Sequence, residues 1–279
     1  MKNYVLIIIL FSLQIGGYSQ DYTAIDTVNL ECIYNYEFQR DSSSKYSMKS
    51  QEMTLLIGKK ISKFSASHSL FTDSIIREQT GEFSAQNFNK VWAQTGGTII
   101  YKECRYNLYK NLDCKGCITL TALINSKNMK IIDQPQIKWQ LIPGDTKEIL
   151  GYTCQKASAN FAGRDYEAWF TTEIPISDGP YKFGGLPGLI VQLHDSELQH
   201  RFQLITVIKP STIKPIYFKE KKNYIEVSNK DYIKALNAHL ASLYNRFQTE
   251  DQITFDNDAS KANALNNIKA QNNFIEKYK

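Results

Sequence analysis

Nucleophilic, redox or metal chemistry in this chain would have to be built from five cysteines and four histidines. Cys114-Lys115-Gly116-Cys117 is a C-x-x-C, a spacing used by redox thiols, by half of a zinc site and by short disulfides. A zinc site needs two further Cys or His at matching spacing. His68, His194, His200 and His239 are scattered and supply no such pair. A redox pair needs a helix N-terminus to lower its thiol pKa, whereas this one lies between strand-like runs. What remains is a short disulfide or two free thiols at a loop tip. Cys32, Cys104 and Cys154 complete the set, and an odd count leaves at least one thiol unpaired within a monomer. There is no G-x-S-x-G, no H-E-x-x-H and no phosphate-binding glycine loop followed by Lys-Ser/Thr. His194 and Asp195 are adjacent on a strand-like run, so they point to opposite faces and do not act as one unit. Glu167 and Glu173 are carboxylates whose roles depend on geometry the sequence does not contain. No catalytic residue, metal ligand or cofactor is therefore expected. The competing expectation is an enzyme or thiol-active protein using Cys114 and Cys117 or a carboxylate pair.

The elements that position these groups belong to an ordinary globular chain. Its 279 residues are 42% hydrophobic and 22% charged, with net charge +5. Those values exclude a disordered tail, a coiled coil and a multi-span membrane protein. Lysines and acids are interspersed, so a nucleic-acid partner is not expected. Lys2, the apolar run Tyr4 to Leu13, and small residues Gly17 and Ser19 read as a secretory signal over residues 1–19, with cleavage after Ser19. No cysteine stands there to accept a lipid. The expected product is a periplasmic or secreted single domain, residues 20–279, that does not span the membrane.

Alternation dominates that domain. Val28, Leu30, Cys32, Tyr34, Tyr36 and Phe38 share one face of a long strand. Met53 to Ile57 and Ile61 to Ala66 flank a Gly58-Lys59 turn. A short helix fits residues 69–79. Strands are expected over 98–110 and 117–124, and alternation recurs at Ile137, Trp139 and Leu141. Glu148 to Phe161 with Asp165 to Thr171 reads as a hairpin turning at Ala162-Gly163-Arg164, and Leu189 to His194 with Arg201 to Lys209 as another. Beyond Val227 the period lengthens. Ser228 and Asp231 can cap a helix with Tyr232, Leu236, Leu240, Leu243 and Tyr244 on one stripe. Leu265, Ile268 and Ile275 suggest a second one in the helical region 228–279. The class is α+β: a mainly antiparallel, curved sheet of hairpins with a short helix and C-terminal helices.

The densest run of unusual residues is Ile149 to Asp195. It holds Gly151-Tyr152-x-Cys154-x-Lys156-Ala157, Gly163-Arg164, Ala168-Trp169-Phe170 and Gly185-Leu186-Pro187-Gly188-Leu189-Ile190. In that order these elements resemble the GLPGLI family of exported Bacteroidetes proteins. Members often end in Asn-Asn-Pro-Ile-Glu, and this chain has Asn272-Asn273-Phe274-Ile275-Glu276, with Phe in place of Pro. The resemblance implies an exported protein often encoded near TonB-dependent outer-membrane receptors. It implies no catalytic residue, because the family has no established activity.

By its own chemistry, Pro187-Gly188 fits the centre of a type II turn with φ > 0 at Gly188, anchored by Leu186, Leu189 and Ile190. Alternation puts Tyr166, Ala168 and Phe170 on one face and Trp169 on the other. With Arg164 at the adjacent turn and Lys182 nearby in sequence, Trp169 is the expected binding anchor for an acidic partner group. The expected function is a non-catalytic binding module, its partner an envelope protein or a small apolar ligand held between sheet and helix.

Overall fold

The computed structural model describes residues 22–78, 104, 106–220, 223–249 and 258–277. The signal segment expected over 1–19, and the first part of the strand expected over 98–110, lie outside the described residues. The fold is α+β, dominated by one large, curved antiparallel sheet.

The chain begins with β1 (Tyr22–Thr27), β2 (Leu30–Gln39), β3 (Met48–Ile57) and β4 (Ser62–Ala66), followed by α1 (Ser67–Glu78). Then come β5 (Tyr106–Lys110), β6 (Ile118–Ile124), β7 (Lys127–Asp133), β8 (Gln140–Ile149), β9 (Tyr152–Phe161) and β10 (Arg164–Thr171). An irregular segment, 172–188, leads into β11 (Leu189–Asp195), β12 (His200–Ile208), β13 (Pro215–Lys219) and β14 (Tyr224–Glu226). The helices α2 (Asn229–Thr249) and α3 (Asp258–Lys269) follow. Twelve strands form one sheet in the order β14-β7-β6-β5-β4-β3-β2-β12-β11-β10-β9-β8, and β1 pairs with β13 in a separate ribbon. Every pairing in the large sheet is antiparallel except β14 on β7.

Turn chemistry explains the hairpins. Ala162 and Gly163 take φ of 47° and 79°, Leu150 and Gly151 take 52° and 79°, and Asn125 and Ser126 take 48° and 61°. Two successive left-handed residues match the right-handed twist of the strands they join. The middle turn corrects the reading of Glu148 to Phe161 as one strand. β8 ends at Ile149, Leu150-Gly151 make the turn, and Tyr152 opens β9 on the return. The helix cap lies where its side chains permit: the Ser228 hydroxyl accepts from Asp231 N–H (3.1 Å) and donates to the Asp231 carboxylate (2.7 Å). The second helix is shorter than the apolar spacing suggests. It ends at Lys269, and Ile275 lies on an extended tail packed against the main core.

That core fills the concave face of the sheet. Tyr34, Phe64 and Phe202 meet edge to face, while Phe183 from the irregular segment packs on Phe161 and Tyr166 at ring distances of 5.4 and 4.6 Å. Tyr181, from the same segment, packs on Tyr106. The segment 172–188 and the tail 272–277 thus take the space between sheet and helix that an apolar ligand would need. Two cavities stand out among the described residues, of about 100 Å³ and 260 Å³. Both are smaller than the roughly 300–1,000 Å³ of ordinary small-molecule pockets.

Candidate functional site

The residues singled out in the sequence do not converge on one surface. Arg164 begins β10 on the concave face and is 4% exposed, while Trp169 lies on the convex face. The odd offset between them decides this, since strand side chains alternate. The Arg164 guanidinium donates to Asp195 (2.5 Å), Gln199 (3.0 Å), Asn273 (2.5 Å) and the Phe274 carbonyl (2.9 Å). Lys182 is 3% exposed, its ammonium held by Asp133 (3.1 Å), Asn229 (3.0 Å) and Glu276 (2.8 Å). Both cations are therefore internal anchors for the C-terminal tail and do not face a partner. Trp169 is only 8% exposed, because Lys147 and Lys156 place their ammonium groups 4.0 and 5.6 Å from its ring centre. It is a covered ring at the margin of the core, and what faces solvent is the polar set above it.

The glycine motif also acts internally. The left-handed residue is Gly185 (φ +89°), whereas Gly188 has no positive φ, so the type II turn expected at Pro187-Gly188 does not form. Gly188 is required for a different reason. A Cβ there would lie 2.6 Å from the Thr171 carbonyl carbon and would strike its oxygen. Leu186, Leu189 and Ile190 are buried. Lys110, at the end of β5, ties the motif down by donating to Asp178 (2.6 Å), the Gly179 carbonyl (2.8 Å) and the Phe183 carbonyl (2.5 Å), while Ser62 donates to the other Asp178 oxygen (2.6 Å). Of the upstream motif, Gly151 makes a turn, Tyr152 packs against the core, and the buried Cys154 thiol donates to the Tyr152 carbonyl (3.3 Å). Burial is the first influence on Cys154 and raises its pKa, which keeps it a thiol. Cys114 and Cys117 are joined as a disulfide at the β5–β6 turn, and Cys32 and Cys104 are buried outside any disulfide.

The convex face of strands β8 to β3 holds the polar side chains that remain. Cross-strand register aligns Gln140, Ser158, Glu167, His194, Arg201, Glu37 and Ser50 in one rung across β8, β9, β10, β11, β12, β2 and β3. The neighbouring rung is Ile142, Lys156, Trp169, Gln192, Gln203, Asn35 and Glu52. At roughly 4.8 Å between strands, each rung spans about 29 Å. Apart from Trp169, every member is half-buried or exposed. Glu167 sits at the centre: Lys156 lies 2.8 Å away, the Trp169 indole N–H donates at 3.0 Å, and the His194 Nε2 is 3.4 Å off. Burial raises the Glu167 carboxyl, but hydrogen bonds from Lys156 and Trp169 and the Lys156 charge outweigh it and hold the group below its ordinary pKa. Burial pushes the Lys147 ammonium down, and it donates to Gln192 at 2.6 Å. Arg201 pairs with Glu37 further along the rung. Fixed donors and acceptors side by side can bind an extended polar ligand. They do not include a nucleophile activated by a base, or, among the described residues, three or more metal-ligating side chains grouped to hold an ion.

Single-strand reasoning missed this face because its members come from seven strands. One part was readable. With the turn at Ala162-Gly163, hairpin register places Lys156 opposite Trp169 and Ser158 opposite Glu167. The pairing of Glu167 with His194 needed the packing of β10 on β11, which no short turn specifies.

Residues 105–235, just under half of the chain, match the family described as N-glycanase peptide, N-terminal domain. Two solved structures of PNGF-II, from P21 and C2 crystals, each resemble 76% of the chain at a TM-score of 0.46 and 14% sequence identity. The matched region covers 33% of each PNGF-II chain, so this chain corresponds to about a third of their length. No curated protein matches it in sequence.

Proposed function

We propose that this protein is an exported, non-catalytic binding module of the GLPGLI type, and that it binds an extended, hydroxyl- and amide-rich ligand, a glycan or glycoconjugate of the cell envelope, across the convex face of β8 to β3. The observation that carries the reading is the pair of polar rungs centred on Glu167 and Trp169. Side-chain amides, a carboxylate, an imidazole and two lysines over a covered indole present alternating donors and acceptors at strand spacing. Such a surface recognises a repeating polar chain better than an apolar molecule. The match of residues 105–235 to an N-glycanase N-terminal domain supports a glycan setting. The signal-like first 19 residues support export, and the motif resemblance supports work beside TonB-dependent receptors.

The test is binding of the purified protein to immobilised envelope glycans, with Glu167→Ala and Gln192→Ala combined. A true face loses at least tenfold in affinity while the melting temperature stays within a few degrees. Retained affinity in the double variant, or no glycan bound by the wild type, overturns the reading. Trp169→Ala is the less clean probe, because loss of a covered ring costs stability as well.

A further inference from the structure

A second site lies on the convex side of the sheet, where α1 and the β1–β13 ribbon cover β3 and β4. Lys63 of β4 points away from the main core, because its neighbours Phe64 and Ser62 point into it. It is 4% exposed, and its ammonium has three N–H donors, yet the Tyr217 carbonyl (3.1 Å) is its one acceptor among the described residues. The Tyr109 ring lies 5.3 Å away and satisfies part of the charge. A buried ammonium with unused donors is costly unless something else accepts from it.

Beside it is the cavity of about 100 Å³, to which Lys63 and Arg77 contribute cations, Lys214 contributes an ammonium already paired with Glu31 (2.5 Å), and Leu56, Leu70 and Pro215 contribute apolar wall. The Arg77 guanidinium stacks 3.8 Å from the Tyr217 ring centre, which leaves its edge donors unused by any described acceptor. The one acid in the lining, Asp73, is engaged by the Tyr22 hydroxyl (3.2 Å) and lies 3.6 Å from Lys219. Burial pushes the Lys63 ammonium down to about 8; Asp73 works against this, and Lys219 and Arg77 add to it. The surroundings thus hold more positive than negative charge, around a space that fits only a few heavy atoms.

We propose that this cavity binds a short aliphatic carboxylate, its anionic end accepting from Lys63 and Arg77 and its chain lying on Leu56, Leu70 and Pro215. A carboxylate supplies the acceptors these donors lack, and apolar walls favour a short alkyl tail over a bare anion. The site is separate from the rungs of the proposed glycan face, so either can fail alone.

Calorimetric titration of the purified protein with butyrate tests it, with butyramide and inorganic phosphate as the matched probes. The expected result is saturable butyrate binding, at least tenfold weaker binding of butyramide and phosphate, and loss of butyrate affinity by tenfold or more in Lys63→Met. Arg77→Gln, on a half-exposed position of α1, should weaken it severalfold without disturbing the fold. Equal butyrate affinity in Lys63→Met and wild type, equal binding of butyramide or phosphate, or no saturable butyrate binding would each overturn the proposal.

Discussion

Lys182 and Glu276 form a closed ion pair, Nζ to Oε1 2.8 Å, with side chains 1% and 4% exposed. One residue belongs to the segment that precedes the glycine motif and the other to the C-terminal tail, 94 positions later. Tyr181 donates to the same carboxylate at 2.8 Å, Tyr166 donates to the Ile275 carbonyl at 2.9 Å, and Arg164 holds Asn273 and Phe274. Arg164 and the Asn272–Glu276 tail, two of the elements that carry the sequence's family resemblance, are thus parts of one internal clasp. Phe274, where Pro is common in that family, still offers its carbonyl to Arg164.

Opening the clasp should be expensive. Glu276→Ala leaves the buried Lys182 with Asp133 as its one anionic partner among the described residues, and should cost about 3 kcal/mol, the low end for breaking a buried pair, because Asp133 and Asn229 stay in place. Truncation after Ala270 also removes Asn273 and Phe274 from Arg164, leaving it Asp195 and Gln199, and should abolish the cooperative unfolding transition. Urea denaturation followed by tryptophan fluorescence measures both, and a truncated chain of wild-type stability would show that the tail is not part of the core.

Gly188 and Gly144 separate close approach from backbone strain. Gly188→Ala drives a methyl group into the Thr171 backbone and should cost about 3 kcal/mol by overpacking. Gly144 has φ +86° with nothing within 4 Å of an added Cβ, so Gly144→Ala should cost only about 1 kcal/mol of strain. Thermal melts of the two variants should differ clearly, and equal losses would contradict the assignment at Gly188.

His200 should make the protein acid-sensitive. Burial, with help from Arg164 and Lys277, lowers its pKa from 6.5 to about 3, and its Nδ1 lies 2.7 Å from the Tyr36 hydroxyl. The folded chain therefore refuses a proton that the unfolded chain accepts. The stabilisation is complete above pH 6.5 and is lost as pH falls from 6.5 towards 3, at up to about 1.4 kcal/mol per pH unit. Stability measured across this window should fall less steeply in His200→Gln. Parallel curves would assign the acid sensitivity to other groups.

The Cys114–Cys117 disulfide closes a very short loop at an exposed turn, so Cys114→Ser with Cys117→Ser should cost at most about 2 kcal/mol. Rapid stoichiometric exchange with an external dithiol, followed by thiol titration, would instead mark the pair as reactive.

Much of this architecture is local and so was legible in the chain. Alternation at Cys32, Tyr34, Tyr36 and Phe38 fixes which side of β2 is buried, because a half-buried strand has a period of two. Ala162-Gly163 sets one hairpin and Ser228 caps one helix, each through bonds within a few residues. Period alone also separated Trp169 from the Tyr166, Ala168 and Phe170 face. It could not show that Lys147, across β8 and β9, would cover the indole, nor that Arg164 and Lys182 would be consumed by a tail more than 90 positions away. Gly188 does not take the left-handed turn conformation expected of it; its constraint is the Thr171 backbone, a neighbour brought there by the bulged pairing of β10 with β11. Charge partners, the polar rungs and the Lys63 cavity depend on strand order and register, and the long connections leave both free until the sheet closes over its core. The sequence by itself therefore determined the faces and turns of individual strands, through short-range sterics and the burial of alternate side chains, whereas tertiary packing alone decided which charges meet and which remain available to a ligand.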